Sequence, residues 1–288
     1  MKIGIVTVLY NSEKHLAKFL SCIENQSYGN FKAYCVDNAS TDLSRDIARS
    51  YLGDPRIELI ENMTNIGVAA ANNQGISAAL SDGCEYVVFC NNDMTFAETT
   101  VDRIAAKTKE HPGAMLAPKI LFGDGKSIYY AGGHFSCLRG VPRHRRYSKK
   151  DDRGHAVDRL VGYAGTAFLA VPTHICRKIK MDERYFVYLD DPDFVIRAIR
   201  SGFKLVYVPS ITILHFASSS TGGKYSDFTL RYVSRNTIFF LRKNYKFLGA
   251  VYARLYVLRT ILIWLRVNSA KKQIISEALI EGFAMGTK

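Results

Sequence analysis

Residues 86–96 read YVVFCNNDMTF, and the reading of this stretch decides the fold. An apolar run, Tyr86–Cys90, stops at Asn91-Asn92-Asp93, and an apolar pattern resumes at once. The run has the length and composition of a buried strand. Three polar side chains at its end are costly to bury without partners. Such a break is expected where a strand delivers its end to a ligand.

Outward from it the same pattern recurs. KIGIVTVL (2–9) is a β-branched apolar run ending at Tyr10-Asn11-Ser12. A helix is expected over 13–25, with apolar positions 16, 19, 20 and 23 and Ser12 as its N-cap. FKAYCV (31–36) leads into Asp37-Asn38-Ala39-Ser40-Thr41-Asp42, where Thr41 or Asp42 caps a helix reaching about residue 51. RIELI (56–60) is a short strand, Asn65-Ile66-Gly67 opens a small-residue helix to about residue 80, and another helix is expected over 97–110. Alternation with short connections predicts a mostly parallel sheet with helices on both faces. Ligands of such sheets bind outside the carboxyl ends of the strands. The polar clusters after Leu9, Val36, Ile60 and Cys90 are therefore expected on one edge. A single Asp at a strand end is ordinary turn chemistry; four clusters on one edge point to a site.

Beyond residue 112 the alternation is lost. Strands and turns are expected over 114–135, a basic loop over 136–158, and in VGYAGTAFLAVP (161–172) a small-residue backbone packed closely under a ligand. A helical pattern covers 194–200, and KLVYVPSITILHF (204–216) reads as a strand broken at Pro209. SSSTGGKYSD (218–227) reads as a flexible loop able to close over a ligand, and the remainder as basic helix.

Composition excludes several classes. With 288 residues, 48% hydrophobic and 12% aromatic, the chain can bury a core and is neither disordered nor collagen-like. Six cysteines at 22, 35, 84, 90, 137 and 176 form no C-x-x-C pair, so free, buried thiols in a reducing compartment are expected rather than a zinc site. The N-terminus carries no signal-peptide pattern. The most apolar stretch, 247–265, is interrupted by Arg254 and Arg259, so no spanning helix is expected. The net charge of +13 is uneven: residues 229–288 hold eleven Lys/Arg against two Glu, and RGVPRHRRYSKK (139–150) is a second cluster. Such patches attract nucleic acid, anionic lipid or phosphorylated ligands. No RNA-binding signature accompanies them, so no nucleic-acid partner is expected, although a non-catalytic polyanion-binding module is the alternative class. A nucleotidyltransferase is disfavoured because Tyr10-Asn11-Ser12-Glu13 lacks the glycines that cradle a triphosphate.

Seven motifs in order carry a family resemblance: TVLYN (7–11), VDNASTD (36–42), NIGVAAANNQGI (65–76), CNNDM (90–94), YAGTAFL (163–169), YLDDPDFVIRAIRSGF (188–203) and LHF (214–216). Over residues 1–240 the sequence resembles inverting family 2 glycosyltransferases of the GT-A fold, in the rhamnosyltransferase and galactofuranosyltransferase branch. The resemblance implies an α/β domain whose nucleotide-sugar half is 1–112 and whose acceptor and catalytic half is 113–228. A basic helical extension, 229–288, follows. It implies that Asp37 accepts from the pyrimidine ring and that Thr7, Tyr10 and Asn11 line base and ribose. Asn65, Asn73, Asn91 and Asn92 lie near the nucleotide, and Asp93 and His215 hold Mn2+ or Mg2+. Gly165 and Thr166 lie at the acceptor. Asn91 departs from the family's D-x-D motif and removes one negative charge from the metal site. A catalytically silent relative is therefore a further alternative. His215 also reads as an ordinary core histidine at a strand end.

In LDDPDF, Asp190, Asp191 and Asp193 crowd together, which raises at least one pKa unless a donor or cation compensates. The cluster also suits the first turn of a helix, with Pro192 inside it. The resemblance makes Asp191 the general base and Asp190 the residue that orients the acceptor. It implies dTDP-rhamnose first and a UDP-sugar second as donor, and a lipid-linked or cell-surface glycan as acceptor. The basic C-terminal part, with Arg259 and Arg266 seven apart beside Ile261, Trp264 and Leu265, suits a cytoplasmic protein held peripherally at the anionic inner face of the plasma membrane.

Overall fold

The computed structural model describes residues 1–151, 157–216 and 226–287. The expected closing loop at 217–226 falls almost wholly outside the described residues. The first half alternates: β1 (Ile3–Leu9), α1 (Glu13–Glu24), β2 (Phe31–Asp37), α2 (Ser44–Ser50), β3 (Ile57–Glu61), α3 (Val68–Ser81), β4 (Tyr86–Cys90), β5 (Met94–Phe96) and α4 (Thr100–Glu110). The second half adds β6 (Met115–Phe122), β7 (Ile128–Tyr130), β8 (Gly133–Ser136), β9 (Val141–His144), β10 (Arg159–Leu160), β11 (Phe168–Pro172), α5 (Thr173–Lys178), α6 (Asp190–Arg200) and β12 (Leu205–His215). Three helices close the chain: α7 (Asp227–Asn244), α8 (Lys246–Trp264) and α9 (Ser269–Ala284).

One sheet runs β10-β12-β6-β11-β4-β1-β2-β3. β1 pairs in parallel with β2 and β4, β2 with β3, and β6 with β12. β11 lies reversed between β4 and β6. Because helices cover both faces, β4 is buried at every position and shows no polar alternation. The carboxyl ends of β1 to β4 share one edge, as expected.

Three local expectations change and one holds. Residues 94–96 form β5, which pairs with the end of β12, Met94 opposite His215; three residues are too few to show a period. The supposed basic loop at 136–158 contains β9, which forms a hairpin with β8; its strand Val-Pro-Arg-His has no apolar alternation to reveal it. Ser12 makes no side-chain cap. Asp42 instead accepts from Glu13 N (3.1 Å) and Ser44 N (3.0 Å), so one carboxylate serves the first turns of α1 and α2. The break at Pro209 is present, as a register shift between Val208 and Thr212.

The C-terminal helices do more than extend the domain. Ile238, Phe239, Phe240 and Leu241 of α7 pack with Tyr185, Leu189 and Ile196 into a second core, so α7 walls the catalytic half across the expected boundary at 229. By length and composition Phe247–Trp264 of α8 qualifies as a membrane span, with mean hydropathy 1.4, which the two arginines had argued against. It is docked on the protein through buried Ala253 and Thr260, while Leu248, Val251, Leu255, Leu258, Leu262 and Leu265 are exposed along one face. All six cysteines are free thiols.

Candidate active site

Asp37 ends β2 with its side chain wholly buried. Its Oδ2 accepts from Arg45 Nε (2.6 Å) and Ser40 N (3.1 Å), while Oδ1 has no partner among the described residues. A buried, orphaned acceptor is costly until a ligand N–H meets it. Asn11 takes a positive φ of 48° after β1 and its Oδ1 accepts from Thr41 N at 2.9 Å, which joins the β1 and β2 loops. Tyr10 is exposed beside it. Thr7 lies inside β1, buried, its hydroxyl without a partner among the described residues.

The β3 loop is organised by Asn38, which the sequence reading passed over. Its Nδ2 donates to Asn65 Oδ1 (2.8 Å) and its Oδ1 accepts from Ile66 N (3.1 Å). Asn65 is thus a loop organiser. Asn73 differs from expectation: its Nδ2 donates to Met181 O (3.0 Å) and Glu183 Oε1 (2.9 Å), and its Oδ1 accepts from Met181 N (3.1 Å). That amide clamps α3 to the 181–183 segment and is spent on the protein itself.

After β4, Asn91 is exposed at the mouth and its N–H donates to Ala167 O (2.8 Å). Asn92 Nδ2 donates to Val8 O (2.7 Å) and fastens the loop to β1. The pairing of β5 with β12 brings Asp93 Oδ2 to 3.3 Å from His215 Nε2. Tyr129 stacks edge-on against the His215 ring, centroids 4.4 Å apart. His215 Nδ1 is buried with no partner among the described residues, so this is not a satisfied core histidine. Metal–ligand bonds of about 2.1 Å set adjacent ligand atoms about 3 Å apart, so this oxygen–nitrogen pair fits a shared divalent cation. A second trio, Glu110, His111 and Asp158, also converges. There the Lys107 ammonium sits 2.6 Å from Glu110 and 2.8 Å from Asp158 and already supplies the cation.

The LDDPDF carboxylates divide their roles. Asp193 is buried and fully used by Arg197 (2.6 Å), Lys243 (2.8 Å), Tyr185 OH (3.1 Å) and Asn244 (2.8 Å), which tie α6 to α7. Asp190 and Asp191 have no ion-pair partner among the described residues. Burial, then repulsion from Asp191, raises the Asp190 pKa well above the carboxylate range. Burial also raises Asp191, to about 6, while the Tyr163 hydroxyl (2.9 Å from Oδ2) and the Thr166 N–H hold it down. Neighbouring carboxyls with no cation between them resist carrying two negative charges at once, so the pair is raised as a whole. A Cβ on Gly165 would lie 3.0 Å from Asp191 Oδ2, so a side chain there would crowd the carboxylate and push it by a few tenths of an ångström. Asp191 faces a cavity of about 320 Å³ lined by Tyr129, Tyr163, His144, Tyr188, Val233 and Thr237. Tyr163 stands in the GYAGT stretch, but no spacing in the sequence pairs it with Asp191.

The approach to Asp190 is strained. Phe186, Tyr188 and Leu189 all have φ near 60° (60°, 63° and 64°), and Val187 N bonds back to Tyr185 O at 2.7 Å in a tight γ-turn. Each such residue costs about 1–3 kcal/mol and persists only where its surroundings enforce it.

The reversed β11 within a parallel sheet, and the polar carboxyl edge, define a transferase of the GT-A fold class. The family model "Glycosyl transferase family 2" matches residues 4–169, more than half of the chain. The chain belongs to that family. It is 28% identical over 239 residues to the N-acetylglucosaminyl-diphospho-decaprenol L-rhamnosyltransferase of Mycobacterium tuberculosis, covering 76% of this chain and 77% of that one. It is 25% identical over 212 residues to the amylovoran biosynthesis glycosyltransferase AmsB of Erwinia amylovora, covering 71% of this chain and 66% of that one. The crystal structure of S. aureus TarS 1–349 in complex with UDP-GlcNAc matches 98% of this chain and 81% of that chain, with a TM-score of 0.64 at 17% identity. At that identity the likeness speaks for the fold.

Proposed function

We propose that this glycosyltransferase moves a sugar from a nucleoside-diphosphate sugar to an acceptor hydroxyl with inversion, Asp191 being the general base. The observation that carries the reading is Asp191 itself: without a counter-cation among the described residues, and facing a cavity whose Tyr129 packs against His215 of the Asp93–His215 pair. The acceptor O–H gives its proton to Asp191 as its oxygen attacks the anomeric carbon. The bond to the diphosphate breaks on the opposite face, and the nucleoside diphosphate leaves with the electron pair. Asp190 would orient the acceptor. Asp93 and His215 would hold Mn2+ or Mg2+, which neutralises charge on the leaving diphosphate when bound. Asp37 Oδ1 would take the ring N–H of a pyrimidine, with Thr7, Tyr10, Asn11, Asn65, Asn91 and Asn92 around the nucleotide. Gly165 and Thr166 would floor the acceptor side.

The name of the Mycobacterium tuberculosis relative, a rhamnosyltransferase acting on a decaprenol-linked sugar, favours a rhamnose donor and a lipid-linked or surface glycan acceptor; dTDP-rhamnose is the first donor proposed and a UDP-sugar the second. The exposed apolar stripe of α8, flanked by Arg254, Arg259 and Arg266, supports peripheral attachment at an anionic cytoplasmic membrane face. The test is a thermal-shift series with dTDP, UDP, GDP and CDP, with and without Mn2+. At a hundredfold excess over Kd a ligand stabilises the folded state by about 2.7 kcal/mol. A manganese-dependent rise with one pyrimidine diphosphate is expected; no rise with any of them rejects the reading. For the membrane, the Leu258→Asp/Leu262→Asp variant should lose binding to phosphatidylserine vesicles, and undiminished binding rejects attachment through α8.

A further inference from the structure

We propose that Asn236 of α7 is a positioning residue for the base: a latch that holds the strained strap 185–189 and thereby fixes Asp190 and Asp191. The proposal rests on the base reading above. Asn236 is completely buried. Its Nδ2 group lies 2.8 Å from Tyr185 O, 2.7 Å from Val187 O and 3.0 Å from Tyr188 O, so two N–H bonds serve three strap carbonyls. These carbonyls belong to the turn that carries Phe186, Tyr188 and Leu189 at positive φ, directly before Asp190. A backbone in that state relaxes unless something outside it holds the carbonyls.

The orientation of the latch is itself fixed. Arg235 Nε donates to Asn236 Oδ1 at 2.8 Å, which turns the NH2 group toward the strap. Arg235 Nη2 reaches Arg184 O (2.9 Å) and Tyr185 O (3.1 Å), and Glu281 of α9 accepts from Nη1 at 2.9 Å. On its other side the strap meets the donor half. Val68 N donates to Phe186 O at 2.5 Å, while the Phe186 ring turns back to stack on Tyr232 of α7, centroids 5.1 Å apart. Gly67, φ 86°, leaves no room for a Cβ against Phe186, which would lie 2.7 Å from it. The C-terminal helices therefore brace the base through the strap: Val233 and Thr237 of α7 line the cavity, whereas Asn236 and Arg235 do not and act on the base only through the strap.

The test compares Asn236→Ala, Arg235→Lys and Asp191→Asn in the full chain. Readouts are thermal unfolding, UDP and dTDP binding with Mn2+, and steady-state turnover of UDP-GlcNAc and dTDP-rhamnose. A misplacement near 1 Å costs about a hundredfold in rate, so Asn236→Ala should lower kcat about that much while donor KM and nucleotide affinity stay within about twofold. Arg235→Lys, which keeps the charge but cannot fork to Asn236 and the carbonyls together, should lower kcat about tenfold. It carries the decision if Asn236→Ala does not fold. A folded Asn236→Ala variant with parental kcat, or one that loses nucleotide affinity in step with kcat, overturns the latch. Undiminished turnover by Asp191→Asn overturns the base reading instead, so the two failures are distinguishable.

Discussion

At the β2 end of the sheet edge Asp37 is held on one oxygen by Arg45 at 2.6 Å, and at the head of α6 Asp193 is held by Arg197 and Lys243. Asp190 and Asp191, one turn from Asp193, meet no cation among the described residues, and burial raises both. The difference separates carboxylates that build the site from carboxylates that work in it. A paired carboxylate is held rigidly by its partners. An unpaired buried one is destabilised as an anion, and a proton acceptor needs that. The sign for stability follows. With folded pKa values raised, these two groups stabilise the fold below the ordinary carboxylate range, and that contribution fades as pH rises through about 6 for Asp191 and about 8 for Asp190.

The largest break in the comparison is Asp191→Asn. Transfer should fall by about a thousandfold, in the range of lost general-base catalysis, with nucleotide binding kept. Thermal stability at pH 8 should hold or rise, because the substitution removes a half-buried charge that has no counter-cation among the described residues. A drop in stability at pH 8 would mean that Asp191 belongs with the structural carboxylates. The next break lies in the Asp93–His215 pair. Asp93→Ala should abolish the manganese-dependent part of the nucleotide-induced rise in melting temperature and leave the metal-free part. If manganese acts undiminished, the ion is held elsewhere.

How much of this was legible in the sequence follows the same division. β1 to β4 were visible because strands buried on both faces are continuous apolar runs, and their polar terminators marked the shared edge. Asp93, Asp191 and His215 were visible through motifs that resemblance supplied. β5, the β8–β9 hairpin and the Tyr163–Asp191 bond were not, because each is defined by a partner far along the chain. The double role of Asp42 was half visible: a cap was expected there for α2, but not for α1. Asn236 looks like any helical asparagine in RYVSRNTIFF, and only the strap facing it gives it a role.

Tyr163→Phe sharpens the comparison at smaller scale. The Tyr163 O–H donates to Asp191 and favours its ionised form. Without it the Asp191 pKa rises further, so the acidic limb of the pH–rate profile should move up by about one unit, about 1.4 kcal/mol. Activity at pH 6 should fall several-fold while activity above the limb stays near parental. An unmoved limb would mean that the bond does not act on the titrating group.

The smallest effect belongs to Asp42, a motif carboxylate that only builds. It accepts from Glu13 N and Ser44 N, and these backbone and hydroxyl donors outweigh burial and lower its pKa. Asp42→Ala should cost about 1 kcal/mol, a fall in melting temperature of about 2–4 °C for a domain of this size. Nucleotide affinity should be unchanged, because Asn11 and Ser40 keep their own bond across the loops. The folded pKa lies below the unfolded one, so the difference from the parent should be full at pH 7 and vanish as pH falls below the carboxylate range. A cost that persists undiminished at low pH would show that Asp42 stabilises the loops by packing rather than by charge, and the line between building and working carboxylates would then lie elsewhere than in their hydrogen-bond partners.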